Sequence, residues 1–167
     1  QGRPLVLINC YYDAPHNHSV LRSHVCRDLA HMVELGCDVV SVCVQEGQLT
    51  NWHQGRLHVF VDEAHAAGLE VHAVPNRWCG LLAGWLDGFS EWTLKNSHTW
   101  LPGRPGYSDP EHPAVAEHYR EHIRRLLDFP FDGIIWDEPR PADRREVFEF
   151  LDSMSAYAKS LDPGVSI

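Results

Sequence analysis

The stretch FDGIIWDEP at residues 131–139 is a short apolar strand that runs directly into two adjacent carboxylates, Asp137 and Glu138, and stops at Pro139. A buried strand with charge at its C-terminal tip is typical of parallel α/β sheets, in which ligands bind outside the carboxyl ends of the strands. The stretch therefore predicts a parallel sheet with Asp137 and Glu138 at its functional edge.

The segments on either side of this strand repeat a pattern of strand, amphipathic helix and strand. The pattern predicts strands at 5–12, 38–44, 69–74, 132–137 and from 165, and helices at 19–35, 52–67, 113–127 and 142–160. Each helix carries one apolar stripe, and Gly36 and Gly68 occupy C-terminal cap positions. A repeat of about thirty residues is the spacing of βαβ units, whose crossovers make the strands parallel.

Two architectures cover both faces of such a sheet: a (β/α)8 barrel of the TIM type and an open, doubly wound parallel sheet. A complete barrel takes roughly 250 residues, whereas these 167 residues hold four βα units and the beginning of a fifth strand. We predict an α/β chain in which residues 1–167 form a single, partial domain covering about the first half of a TIM barrel. The doubly wound sheet is the alternative.

Composition limits the partners of the chain. A net charge of −9, with arginines scattered among acids, argues against binding to nucleic acid. No apolar run approaches the roughly 20 residues that span a membrane, and the first residues lack the layout of a signal peptide. The five cysteines form no spaced framework, so reduced thiols and a cytoplasmic location are expected. Six helix histidines are predicted to lie on polar faces: His24, His31, His58, His65, His118 and His122.

A long segment at 78–112, rich in Gly, Pro and Trp, interrupts the repeat between the third strand and the third helix. Long insertions of this kind are usually functional loops. Its aromatic side chains offer flat apolar surfaces of the sort that bind sugar rings, and they are Trp78, Trp85, Trp92, Trp100 and Tyr107. The alternative is that some of these tryptophans only anchor the loop.

Polar residues follow each of the four predicted strands at its carboxyl end. They are Asn9, Tyr11, Tyr12 and Asp13; Gln45 and Glu46; Asn76 and Arg77; and Asp137, Glu138 and Arg140. The opposite ends, at Gly36-Cys37, Gly68-Leu69 and Phe129-Pro130, read as packing turns. This asymmetry predicts one functional rim. Arg77 is suited to bind a substrate carboxylate or to neutralise Glu46 or Asp137.

The motif at 132–137, preceded by DPEHPAV at 109–115 and an amphipathic helix, resembles the fourth-strand region of barrel glycoside hydrolases. In several such groups, including the α-amylase clan, an Asp-Gly-x-x-x-Asp strand ends in the catalytic nucleophile. The residues VPNRW at 74–78 and Glu46 also look like the polar strand ends of uncharacterised glycosidase-like barrels. The resemblance implies a carbohydrate-active hydrolase that needs no cofactor and no metal.

By this resemblance Asp137 is the nucleophile. In another glycosidase clan a Glu after the fourth strand is the acid/base, typically behind an Asn; Glu138 would have that role here, although Asp137 stands where the Asn is expected. Because adjacent acids rarely form the catalytic pair, the partner of Asp137 is expected on a later strand, with Glu46 the best candidate within these residues. The chain alone is then expected to be inactive. The implied substrate-binding residues are Tyr12, Asp13, Glu46, Asn76, Arg77, Trp78, Trp85 and Trp100.

Three other interpretations remain open. His16-Asn17-His18 follows the first strand, where metal-dependent amidohydrolase barrels carry two zinc ligands, although it reads equally well as a helix cap. A non-catalytic carbohydrate-binding barrel would keep the aromatic loop without a working pair of acids. Finally, Asp137 and Glu138 could simply begin the next helix or pair with Arg140 or Arg144.

Overall fold

A computed structural model describes residues 8–12, 21–44, 54–75, 91–137 and 143–167. Its strands are β1 (Asn9–Tyr12), β2 (Val39–Val44), β3 (Glu70–Pro75) and β4 (Gly133–Ile134). Its helices are α1 (Arg22–Glu34), α2 (Gln54–Ala66), α3 (Glu91–Lys95), α4 (Pro113–Leu127) and α5 (Arg145–Leu161), and a short 3-10 helix spans Ser97–Thr99. The predicted alternation of strands and helices is confirmed in these ranges.

The strands are parallel and lie side by side in chain order, β1-β2-β3-β4. An isolated parallel bridge pairs Gly133 with Ser166 on the other side of β4, with Ile134 N donating to Ser166 O at 2.8 Å. A doubly wound sheet reverses its strand order at a switch point. The described strands do not reverse, so the sheet follows the order of a TIM barrel.

Both faces of the central strands are covered. In β2, Val40, Val42 and Val44 belong to the hydrophobic core shared with the helices, whereas Val39 and Cys43 alternate with them and are buried on the other side. Strands buried on both faces are typical of parallel sheets in α/β proteins. This explains why the sequence of β2 is an almost continuous apolar run.

The turns that lead into β2 and β3 are built on left-handed glycines. Gly36 and Gly68 have φ of 83° and 85°, a conformation that side-chain-bearing residues rarely adopt. After α1, Gly36 N donates to Val33 O and Cys37 N donates to Met32 O, which satisfies carbonyls at the helix end. The predicted packing turns at this end of the sheet are confirmed at these two positions.

The histidines of α4 do not follow the polar-face prediction. His122 is buried with 4% of its surface exposed, and its Nε2 has no hydrogen-bond partner. His118, one turn earlier, stacks on Trp92 with ring centroids 4.2 Å apart and an interplanar angle of 6°. The prediction for these two residues is wrong because neutral imidazole rings pack like aromatic groups against tertiary neighbours that lie far away in sequence.

Burial of His122 predicts that stability falls in acid. Burial, together with the nearby His118 and Arg125, lowers the pKa of His122 from 6.5 to about 3. The folded protein therefore keeps the His122 imidazole neutral at pH values at which the unfolded chain is protonated. The stabilising contribution is therefore complete above pH 6.5 and is lost as the pH falls towards 3. Between pH 7 and pH 5 this loss is roughly 2 kcal/mol from His122 alone.

Urea unfolding at a series of pH values measures this loss. The variant His122→Phe keeps an aromatic ring of similar size and removes the titrating group, so its free energy of unfolding should fall less steeply with acidification than that of the unsubstituted protein. Equal pH dependence in the two proteins would exclude His122 as the source.

Candidate functional site

Asp137 lies at the carboxyl-end rim of the sheet. Val44 and Pro75, the last residues of β2 and β3, are partners in the ladder, and Ala73 pairs with Ile134. Two residues beyond this pair, Trp136 lies opposite Pro75, and Asp137 is the next residue. The predicted location of Asp137 at the tip of the fourth strand is thus consistent with the register of the sheet.

The side chains around Asp137 alternate between the two faces of the sheet. Ile134 belongs to the core shared with the helices, and Trp136 Nε1 donates a hydrogen bond of 2.8 Å to Ser155 Oγ of α5. Continued strand alternation would place the side chains of Ile135 and Asp137 on the opposite side of the sheet. Ser155 is itself oriented because its hydroxyl donates to Leu151 O at 2.8 Å. Asp137 is half-buried.

Gly133 leaves space for the side chain of His72 in the neighbouring strand. A Cβ atom at this position would lie 2.8 Å from Cδ2 and 2.9 Å from Cγ of His72, its ladder partner in β3. The imidazole of His72 therefore lies against the backbone of Gly133, and only glycine leaves it that space. The glycine of the Asp-Gly-x-x-x-Asp motif thus has a packing role.

Asp132, the first acid of that motif, lies at the opposite end of β4 from Asp137. Its Oδ2 accepts hydrogen bonds of 2.8 Å from Val71 N of β3 and from His65 Nε2 of α2. Asp38 does the same at the start of β2, where its Oδ2 accepts from Ile8 N at 3.0 Å. These carboxylates satisfy backbone donors where neighbouring strands begin, so Asp132 has a structural role.

Asn9 also belongs to this amino-terminal end, which makes its prediction as a rim residue wrong. It pairs with Val39, the first residue of β2, and its side chain exchanges hydrogen bonds of 2.7 and 2.9 Å with Ser41 Oγ. Ser41 is fully buried. A buried hydroxyl requires a partner, and Asn9 supplies it.

The described part of the long loop, residues 91–112, has structure of its own, and we call it the 91–112 segment. It contains α3, the 3-10 helix and an antiparallel bridge between Trp100 and Ser108. Thr93 Oγ1 and Ser108 Oγ share a buried hydrogen bond of 2.9 Å. Trp92 holds the segment to α4 through its stack on His118. The segment is therefore a packed unit.

Trp100 has a structural contact within this segment. Its Nε1 donates to Thr93 O at 2.8 Å, and the side chain is partly buried. This contact agrees with the anchoring alternative, and a sugar-binding role for Trp100 stays a prediction. Tyr12 ends β1 and pairs with Val42, two residues below the end of β2. Seven other predicted site residues lie outside the described residues: Asp13, Glu46, Asn76, Arg77, Trp78, Trp85 and Glu138.

The sequence did not single out an ion pair that connects two loops near the rim. Arg104 Nη2 lies 2.7 Å from Asp143 Oδ2, which joins the 91–112 segment to the residues that precede α5. A narrow pocket between them is lined by Leu101, Asp109 and Glu111 on one side and by Arg144 and Val147 on the other. The Pro-Gly-Arg-Pro-Gly turn at 102–106 was the available signal, because such turns hold a side chain in a fixed direction.

Within the described ranges, no group of three or more His, Cys, Asp or Glu residues could hold a metal ion. His16 and His18, the ligands of the amidohydrolase alternative, lie outside those ranges. None of the helices described here is both long and apolar enough to cross a membrane.

The fold of this chain is similar to that of several solved structures. No family model matches the chain, and no curated protein matches its sequence. Among solved structures, the endo-1,4-β-mannanase from Rhizomucor miehei matches 100% of this chain and 57% of its own, with a TM-score of 0.65 and 14% identity. A GH36 α-galactosidase from Geobacillus stearothermophilus matches 98% of this chain and 27% of its own, with a TM-score of 0.62 and 14% identity.

A third structure has a bound disaccharide. It is a GH5_18 protein from Streptomyces cattleya in complex with Manβ1-4GlcNAc, and it matches 97% of this chain and 44% of its own, with a TM-score of 0.59 and 22% identity. The chain thus spans 27 to 57% of the length of these three structures. Its fold is an α/β arrangement of four parallel strands that matches about half of a TIM-barrel glycosidase.

Proposed function

We propose that this chain supplies the first four βα units of a barrel glycoside hydrolase in which Asp137 is the catalytic nucleophile. The observation that carries the proposal is the position of Asp137: it is half-buried at the carboxyl-end rim and directly follows Trp136, whose ring is hydrogen-bonded to α5. In TIM-barrel enzymes the active site is built at that rim. The glycosidase folds described above support the same reaction class.

The chemistry requires two carboxyl groups. One attacks the anomeric carbon while the other protonates the leaving oxygen, and in retaining enzymes the two lie roughly 5 to 5.5 Å apart. Glu138 is the neighbouring acid in sequence, but consecutive residues of a strand point in opposite directions. We therefore propose a proton donor on a later strand, with Glu46 as the candidate within this chain. This reaction uses carboxylates and water and needs no cofactor.

Sugar recognition is proposed for the other polar and aromatic residues of the rim. Tyr12 ends the first strand and Asp13 comes next, while Asn76 and Arg77 follow the third strand. These residues would contact substrate hydroxyls or a substrate carboxylate. Trp78, Trp85 and Trp100 belong to the long loop, and their rings would stack on the apolar faces of sugar rings. The proposed partner is a carbohydrate.

A panel of 4-nitrophenyl glycosides tests the proposal directly. The protein that carries the complete barrel should release 4-nitrophenol from at least one of the β-mannoside, β-glucoside and α-galactoside, whereas residues 1–167 alone should release none. A complete barrel that cleaves no glycoside of the panel, or of the corresponding oligosaccharides, would contradict a hydrolase.

A non-catalytic carbohydrate-binding barrel is the second candidate. The observation in its favour is that Trp92 and Trp100 are held in fixed positions by the stack on His118 and the hydrogen bond to Thr93, and that both stay partly exposed. Binding of an oligosaccharide in calorimetry, together with no turnover of it, would favour this candidate over the hydrolase.

A further inference from the structure

Arg104 is presented by a turn whose backbone is tightly held. Leu101 N donates to Tyr107 O at 2.7 Å, and Arg104 N donates to Leu101 O at 2.9 Å. Gly103 and Gly106 flank the turn with φ of 77° and 84°, which side-chain-bearing residues rarely adopt. The direction in which the Arg104 side chain leaves the segment is therefore determined by the backbone.

The turn is attached to the body of the protein on two sides. Trp92 stacks on His118 of α4, and Leu101, at the base of the turn, is buried with 7% of its surface exposed. Leu101 also lines the narrow pocket against Val147 of α5, which is fully buried. Arg104 therefore projects from a turn that is packed against the rest of the protein.

Its partner, Asp143, lies close in sequence to the proposed nucleophile. Asp143 follows Asp137 by six residues and comes two residues before α5 begins at Arg145. On the other side of Asp137, the hydrogen bond from Trp136 to Ser155 fixes the end of the fourth strand. Trp136, directly before Asp137, and Asp143, six residues after it, are thus each held by a side-chain contact.

We propose that Arg104 is a positioning residue for Asp137, acting through its ion pair with Asp143. This inference rests on the proposed function. The guanidinium holds Asp143, six residues after Asp137, against the 91–112 segment and thereby limits the displacement of Asp137. An exposed ion pair contributes little to global stability. A small displacement of a reacting group, in contrast, can lower a rate by as much as about 10²-fold.

A double-mutant cycle in the complete barrel tests the pair, with the best 4-nitrophenyl glycoside of the panel as substrate. Arg104→Gln and Asp143→Asn are each expected to lower kcat about tenfold, with KM changed less than about twofold. The double variant should be no worse than either single variant, because both remove the same interaction. Thermal midpoints should stay within about 2 °C of the unsubstituted protein.

Arg145→Gln is the matched control. Arg145 forms an ion pair with Glu149 at 2.7 Å on the exposed surface of α5, so the variant removes an equivalent cation that does not join the two loops. Its kcat is expected to be unchanged. Unchanged kcat in Arg104→Gln, additive losses in the double variant, or losses that match a fall in the folded fraction would each overturn the positioning role.

Asp137→Asn, measured in the same series, separates this inference from the proposed function. If Asp137→Asn abolishes turnover while Arg104→Gln does not affect it, the positioning role fails and the hydrolase proposal stands. If Asp137→Asn retains full turnover, the nucleophile assignment fails, and the positioning role fails with it.

Discussion

Replacing Asp137 by Asn is expected to lower the turnover of a glycoside by about 10³-fold or more, the scale on which loss of a nucleophile or general acid acts. The amide has nearly the same shape as the carboxylate but carries no charge and is a poor nucleophile. Because Asp137 is half-buried at the rim and Trp136 keeps its hydrogen bond to Ser155, the variant should fold normally. Steady-state kinetics and circular dichroism on the same samples measure both quantities.

Asp152→Asn is the control for this experiment. Asp152 is exposed on α5, so the substitution makes the same chemical change away from the rim and should leave turnover intact. Turnover of Asp137→Asn at the rate of the Asp152→Asn control would remove Asp137 from the chemistry. The non-catalytic candidate, or an unrelated catalytic group, would then have to account for the site.

The second large effect is expected at Gly133. Gly133→Ala places a methyl group 2.8 Å from the nearest atom of the His72 imidazole, well inside van der Waals contact. The ring has little room to move because only 12% of the His72 side chain is exposed and its Nε2 lies 3.3 Å from Glu70 Oε2. Overpacking of this kind costs about 1 to 3 kcal/mol. Urea unfolding should show a lower midpoint with an unchanged slope.

Two further variants locate the cause of that loss. Gly55→Ala adds the same methyl group within α2, where nothing lies within 4 Å of the new atom, so it should be neutral or slightly stabilising. His72→Ala removes the imidazole that the new methyl group of Gly133→Ala contacts. His72→Ala should therefore lower the free energy of unfolding less in the Gly133→Ala background than in the unsubstituted protein. Strictly additive losses would show that His72 is not the obstacle.

The periodic elements of the fold were predictable from the sequence. Apolar residues recur with helical spacing in α4, and its bounds, Pro113–Leu127, match the prediction of 113–127 because His112 caps the helix and Pro113 begins it. The apolar run at 38–44 predicted β2, which is observed at Val39–Val44. A strand that is buried on both faces needs an apolar residue at nearly every position, so its sequence is easy to recognise.

Boundaries that depend on neighbouring strands were less predictable. The fourth strand was expected at 132–137, but its regular ladder covers only Gly133–Ile134. The chain beyond it stays bonded to β3 through Ile135 N and Ala73 O at 2.9 Å. Ladder length depends on how far both neighbouring strands extend, and a single sequence pattern does not contain that information.

The site was predictable to the extent that local pattern determines it. Strand alternation predicted that Trp136 and Asp137 lie on opposite faces, and the hydrogen bond of Trp136 to Ser155 of α5 agrees with the part that concerns Trp136. The different roles of Asp132 and Gly133 depend on His65, Val71 and His72, which are distant in sequence. The Arg104–Asp143 pair joins residues 39 positions apart, so the turn at 102–106 could indicate Arg104 but not its partner.

Mass spectrometry of a trapped intermediate tests the nucleophile assignment most directly. A retaining glycosidase forms a covalent bond between its nucleophile and the sugar, and a fluorine at C2 of an activated glycoside slows the hydrolysis of that intermediate. After incubation of the complete barrel with the 2-fluoro derivative of its best substrate, we predict a glycosyl adduct on the peptide that contains Asp137. An adduct on another carboxylate, or turnover of the parent glycoside with no adduct at Asp137, would contradict the assignment.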